Sequence, residues 1–174
     1  MTFAFQHTYQ LAELLEREDE IKEIPGLIKK MKKASRKYLY DKKQGVFVSG
    51  PDKQVSYLSQ AWMALSETLS PKECARALLT AIENPAACYP GSPYGYHYVI
   101  DALIKCGLHQ EARDMMLYYW GGMVQKGADT FWEVYDPNDD RRSPYNSHLV
   151  NSYCHAWSCT PVYFINKYPE IFQK

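Results

Sequence analysis

Glu133 directly follows Trp132, at the end of the run Tyr119-Trp120-Gly121-Gly122-Met123-Val124-Gln125-Lys126-Gly127-Ala128-Asp129-Thr130-Phe131. A carboxylate placed next to an indole past a Gly-rich turn brings together two chemistries. One is proton transfer; the other is a flat apolar face on which the C–H side of a sugar ring can lie. Farther along, Ser152-Tyr153-Cys154-His155-Ala156-Trp157-Ser158 sets an imidazole among aromatic side chains. Asp136, Asp139 and Asp140 could offer a second carboxylate, although Asp-Pro-Asn-Asp-Asp-Arg-Arg more readily forms a solvated turn. His148, Cys154, His155 and Cys159 are of metal-ligand type but lack paired C-x-x-C or H-x-x-x-H spacing, so no metal is expected. Each of these residues also has a plainer reading. Glu133 fits a surface or salt-bridged carboxylate, Trp132 a pin holding a loop to the core, and His155 a core histidine.

The elements that must position them read as helical nearly throughout. Phe5, Thr8, Leu11, Leu14 and Leu15 begin the pattern, and Ile24, Leu27, Ile28, Met31, Ala34 and Tyr38 keep to the i, i+3, i+4 rule. The outer face of that second helix carries Lys29, Lys30, Lys32, Lys33, Arg36 and Lys37, and reads as solvated, given the acidic run from Glu16 to Glu23 before it. Residues 42–53 form a polar loop with Val46 to Val48 as a short strand. A third helix carries Val55, Leu58, Trp62, Leu65 and Leu69. The fourth opens on Ser70-Pro71-Lys72-Glu73, a capping box with proline in the first turn, and stops at Asn84-Pro85. Ser92-Pro93 starts a fifth, ended by Gly107, and a sixth follows through Ala112, Met115, Met116, Tyr119 and Met123. Residues 126–149 interrupt this rhythm with a long connection, and long loops in compact helical domains are often functional. A seventh helix is expected from about Ser152 to Lys167, with Pro161 either kinking it or starting it anew. Helix, short turn, helix, repeated, predicts an all-α fold of antiparallel hairpins.

Composition narrows the function. The chain has 174 residues, and 46% hydrophobic with 23% charged residues is ordinary globular usage for one domain. Twenty Lys and Arg balance twenty Asp and Glu. That zero balance leaves no basic field for a nucleic-acid backbone and no polybasic block for a membrane surface. The longest apolar runs, such as Pro161 to Ile165, fall far short of the roughly 20 residues that span a bilayer. No leader of signal-peptide type opens the sequence, and five dispersed cysteines read as reduced thiols, so a cytoplasmic location is the default expectation. Aromatic residues reach 14%, with 15 tyrosines and 4 tryptophans, which suits both a filled core and the stacking of sugars.

The two motifs together resemble the six-hairpin catalytic domain of bacterial α-L-rhamnosidases. That family's first motif runs Trp-Gly, Met, Gly, Thr, an aromatic, Trp and Glu. Its toroid ends on a Ser-x-x-His segment leading into the last helix, as Ser152 to His155 do here with Pro161, Tyr163 and Phe164 beyond. The resemblance implies a partial (α/α)6 toroid, with residues 1–174 as a single domain forming the C-terminal half. It implies Glu133 as the general base of an inverting glycoside hydrolase, with Trp132, His155 and Trp157 as substrate-binding residues on one shared pocket. A rhamnoside is the implied ligand, and no cofactor is implied.

About seven helices are readable where the family toroid has twelve, and the family's acidic motif with the general acid has no counterpart in this sequence. Inverting hydrolysis needs two carboxylates roughly 6.5–9.5 Å apart across a water. The expectation is therefore a domain that lacks its acid and is inactive alone. A homodimer or the N-terminal half of the toroid should cover the apolar face left by the absent hairpins. A different class of reading is a non-catalytic helical module that binds carbohydrate or a partner protein.

Overall fold

In a computed structural model, which describes residues 1–173, the chain forms eight α-helices and one two-stranded antiparallel ribbon. It divides into two compact units, Met1–Cys88 and Tyr89–Lys174.

In the first unit, α1 (Thr2–Leu14) pairs with α2 (Ile24–Tyr38), and α3 (Tyr57–Leu65) pairs with α4 (Pro71–Glu83). Helix α2 spans its predicted stripe, with Pro25 in the first turn, where its missing N–H costs nothing. The capping box is formed as the sequence implies. Ser70 Oγ accepts from the Glu73 amide, and Glu73 Oε2 accepts from the Ser70 amide at 3.1 Å. Between the hairpins runs a ribbon of β1 (Tyr40–Asp41) and β2 (Val46–Phe47). Its β2 edge is buried, and Gln60 of α3 satisfies it. The Phe47 amide donates to Gln60 Oε1 at 2.8 Å, and Gln60 Nε2 donates to the Phe47 carbonyl at 2.9 Å.

Helix α1 forms over its apolar stripe without burying it. Leu11, Leu14 and Leu15 are 57%, 81% and 58% exposed, and α1 buries no residue. The periodic stripe is present, but α1 packs chiefly against α2 and the short 3-10 turn Glu18–Ile21, with Phe3 reaching Trp62 of α3 at 5.7 Å, and these contacts leave the leucines uncovered.

In the second unit, α5 (Pro93–Lys105) and α6 (His109–Gln125) form a hairpin closed at Gly107, whose φ of 77° favours glycine. Their core joins Tyr96, Val99, Ile100 and Leu103 to Ala112, Met116, Tyr119 and Met123. Helices α7 (Thr160–Lys167) and α8 (Pro169–Phe172) pack back onto this hairpin, with Phe164 fully buried. The seventh helix thus starts at Thr160 and not at Ser152. Pro161 sits in its first turn, because proline cannot bond to a preceding turn and so begins a helix better than it continues one. Residues 152–155 are loop, followed by a single 3-10 turn at Ala156–Ser158. The chain is all-α, built of helical hairpins, as the sequence predicted.

Candidate active site

Residues 131–133 and 152–155 run beside each other. The His155 amide donates to the Phe131 carbonyl at 2.7 Å, and the Glu133 amide donates to the Ser152 carbonyl at 2.9 Å. The two bonds step two residues along one segment and three along the other, so they tie two loop segments together without forming a strand pair. Glu133 and Trp132 meet different partners: Tyr145 and Ser152 for the carboxylate, Tyr153 and Tyr135 for the indole.

Glu133 is buried, at 5% exposed, and each carboxylate oxygen has a donor. The Tyr145 hydroxyl donates to Oε1, and the Ser152 amide donates to Oε2 at 2.9 Å. The Tyr145 bond, then the Ser152 amide, hold the Glu133 carboxyl below its ordinary range, with a smaller contribution from the charge of His155. Burial opposes them and loses. The same bond raises the Tyr145 phenol above its ordinary value. A carboxylate has about four lone-pair sites. Two donors leave it able to accept from a water or a sugar hydroxyl.

His155 and Trp157 lie alongside. The Trp157 indole donates to the Glu133 carbonyl at 3.0 Å, and the two rings are 4.3 Å apart at 32°. His155 Nδ1 accepts the Trp157 amide at 3.3 Å, which places the neutral ring's proton on Nε2. Trp157, 39% exposed, continues toward Tyr94 at 6.2 Å, whose hydroxyl lies 2.9 Å from that of Tyr98. Burial, followed by the Tyr94 bond, pushes the Tyr98 phenol up to about 12.

Gly121 and Gly122, expected in a turn, lie inside α6, and this stretch of the helix has a mechanical role. Trp120 on α6 donates its indole N–H to the carbonyl of Ser158 at 2.8 Å and to its hydroxyl at 3.1 Å, tying down the turn that carries Trp157. A Cβ on Gly122 would meet the Tyr135 hydroxyl at 2.5 Å, so glycine is what lets Tyr135 pack against α6. The Tyr119 hydroxyl, its phenol driven up by burial, donates to the Tyr135 carbonyl at 2.8 Å. Residues 119–122 thereby hold the C-terminal side of the segment bearing Glu133, through Tyr135, and the turn bearing Trp157, through Ser158.

Of Trp132, Glu133 and His155, expected to converge on one pocket, Glu133 and His155 lie together, with Trp157 beside them. Trp132 packs edge-on to Tyr153 at 5.4 Å and to Tyr135 at 6.2 Å, and lines a separate cavity of about 240 Å³. Of the three aspartates, Asp140 pairs with Lys126 in an exposed ion bridge at 2.7 Å, whereas Asp136 is buried at 7% exposed. Asp136 accepts from Tyr89 at 3.0 Å and from the Asn138 amide at 2.9 Å, so it serves the loop's structure. Sequence reasoning missed Tyr145 and Ser152. Tyr145 was marked only by its place in the long loop, and Ser152 was read as a motif serine without its amide's role toward Glu133.

A family model for the bacterial alpha-L-rhamnosidase 6 hairpin glycosidase domain matches residues 2–168. The chain is similar to a rhamnosidase from Klebsiella oxytoca solved with rhamnose bound, at 42% identity and a TM-score of 0.89, over 97% of this chain and 33% of that one. It also shares its fold with a GH78 family rhamnosidase of Bacillus sp. GL1, at 22% identity and a TM-score of 0.77, over 95% of this chain and 18% of that one. The chain thus spans about a third of the first structure and under a fifth of the second. No match was found among curated proteins.

Proposed function

The chain belongs to the bacterial α-L-rhamnosidase six-hairpin glycosidase family, and we propose that it carries the general-base side of an inverting rhamnoside hydrolase, as the C-terminal half of a six-hairpin toroid. The observation that carries this reading is the setting of Glu133. Its carboxylate is ionised at neutral pH, held by Tyr145 and Ser152, and flanked by His155 and Trp157. In the proposed reaction, a sugar lies against the Trp157 face, and His155 Nε2 donates a hydrogen bond to one of its hydroxyls. Glu133 takes a proton from the water that attacks the anomeric carbon, while a carboxylic acid on the opposite side protonates the leaving oxygen. That acid is supplied by residues outside this chain, from the other half of the toroid or from a second copy.

General acid and base groups typically contribute roughly 10²–10⁴-fold each. An activated nitrophenyl α-L-rhamnoside depends least on the acid and is the most sensitive substrate for the test. The purified chain is expected to bind L-rhamnose but to turn this substrate over far below ordinary enzymatic rates, with Glu133→Gln lowering what remains. Turnover at ordinary rates that vanishes in Glu133→Gln would show that both carboxylates are already present, here or across a dimer, and would overturn the division proposed. Sugar binding with no turnover change in Glu133→Gln would favour the non-catalytic carbohydrate-binding module instead.

A further inference from the structure

We propose that His97 is a positioning residue for the site around Glu133: bonded to Thr160, the first residue of α7, it holds the turn that presents Trp157, and does so in its neutral form. The contacts that seat α7 converge on this one ring. Helix α7 has 8 residues, too few to be stable alone in water, so its place is set by what it buries. It buries Thr160 and Phe164, and His97 meets both. His97 Nδ1 lies 3.1 Å from the Thr160 hydroxyl, and its ring is 4.8 Å from that of Phe164 at 30°. Tyr163 adds a further ring at 5.4 Å. Thr160 follows the Ala156–Ser158 turn after Cys159 alone, so a shift of the helix start is passed to Trp157 through very little chain. One turn earlier on α5, Tyr94 reaches the Trp157 ring itself at 6.2 Å. One face of α5 thus braces both the turn and the helix that follows it.

The clamp depends on the charge of the ring. Burial between α5 and α7 pushes the His97 imidazole below its ordinary range; the Asp101 carboxylate, one turn along α5, opposes this, and the Lys167 ammonium on α7 adds to it. Tyr98 on α5 and Tyr163 on α7 are the titratable rings beside it, and among the described residues no charged group of α6 or of the 156–158 turn acts on it. Because the folded value is depressed, the stability His97 contributes is present above the unfolded value of about 6.5 and is lost as pH falls through the folded one. Acidification therefore loosens the seat of α7 and, through Thr160, the turn bearing Trp157. The inference rests on the proposed function only for the importance of Trp157; the coupling itself is a property of the fold.

The test is a pH titration of the ¹⁵N-labelled full chain from about pH 8 to about pH 5, following the His97 ring nitrogens, the Thr160 amide and the Trp157 indole N–H. His155 is a second imidazole against Trp157, so the decisive protein is His155→Gln. In it the Thr160 amide and the Trp157 indole should move together, with the midpoint of the His97 ring. Adding Thr160→Val, which keeps the packing and removes the hydroxyl, should leave His97 titrating and cut the Trp157 movement to less than half. An indole that stays put while His97 titrates would overturn the proposal, as would one that moves equally with and without the Thr160 hydroxyl. If His155→Gln does not fold, the same comparison is made between the unsubstituted chain and His97→Gln, which must lose the part of the Trp157 movement that shares the His97 midpoint. No sugar is present in these measurements, so a failure to bind rhamnose would count against the proposed function and leave the coupling standing.

Discussion

Glu133 and Ser152 are joined twice: the Glu133 amide donates to the Ser152 carbonyl, and the Ser152 amide donates back to the Glu133 carboxylate, both at 2.9 Å. The closed ring fixes the carboxylate relative to its own backbone. Side-chain rotation, the usual freedom of a glutamate, would break a charge-assisted hydrogen bond in a buried setting. The orientation of the proposed base therefore comes from backbone pairing between two loop segments, with Tyr145 closing the remaining oxygen.

Removing the Tyr145 hydroxyl should raise the Glu133 pKa. The folded-state value is depressed, so Glu133 contributes stability that is present above the unfolded carboxylate value of about 4.3 and is lost as pH falls through the lower folded value. In Tyr145→Phe, that acid-side loss should begin at the same unfolded value, shrink, and be complete at a higher pH. Carboxyl ¹³C titration of Glu133 reads the shift directly, and urea midpoints at pH 7 and pH 3 read its consequence. Identical titration curves for the two proteins would mean that Tyr145 does not hold the charge.

Trp120→Phe should destabilise the second unit by about 1–3 kcal/mol, the cost of leaving the buried Ser158 acceptors without their donor. It should also broaden the Trp157 indole signal, since the turn at Ala156–Ser158 loses its tie to α6. Chemical denaturation gives the first quantity and an amide spectrum the second. A stable variant with an unchanged Trp157 signal would show that the turn is held by other contacts.

Gly122→Ala should cost about 1–3 kcal/mol, because its methyl group would press on the Tyr135 ring at 3.1 Å and the hydroxyl at 2.5 Å. Combined with Tyr135→Ala, the same substitution should cost almost nothing further. A double-mutant cycle measures that coupling, and additive losses would rule the clash out.

Gln60→Leu keeps the side chain's approximate volume but strands the Phe47 amide and carbonyl, both in a buried strand. Each unpaired group costs about 1–3 kcal/mol, so the first unit should lose more than a surface substitution would explain. Thermal unfolding of this variant beside Gln60→Glu, which keeps one acceptor for the Phe47 amide, separates the two bonds. A melting temperature equal to that of the unsubstituted chain in Gln60→Leu would contradict the role given to Gln60.

What the amino-acid sequence determined by itself was whatever short-range interactions decide. Helices α2, α4, α5 and α6 were legible because apolar spacing, a Ser70–Glu73 cap, first-turn prolines and Gly107 act within a turn or two of chain. The pair Trp132-Glu133 and the Ser152 to Ser158 motif were legible as chemistry by their residue types and their resemblance to one family. Tertiary structure decided the rest. Tyr145 reaches Glu133 across a loop that has no period to read, and Ser152 acts through its amide, which every residue but proline possesses. The helix expected from Ser152 begins at Thr160 because the backbone of residues 152 and 155 is spent on residues 131–133. Leu11 and Leu14 satisfy the helical period and still face outward, since a period shows that a helix has an apolar side and not what lies against it. Trp132 and Glu133, adjacent in sequence, meet different partners, Tyr153 and Tyr135 for the indole and Tyr145 and Ser152 for the carboxylate, and those are contacts between loop residues that no local pattern encodes.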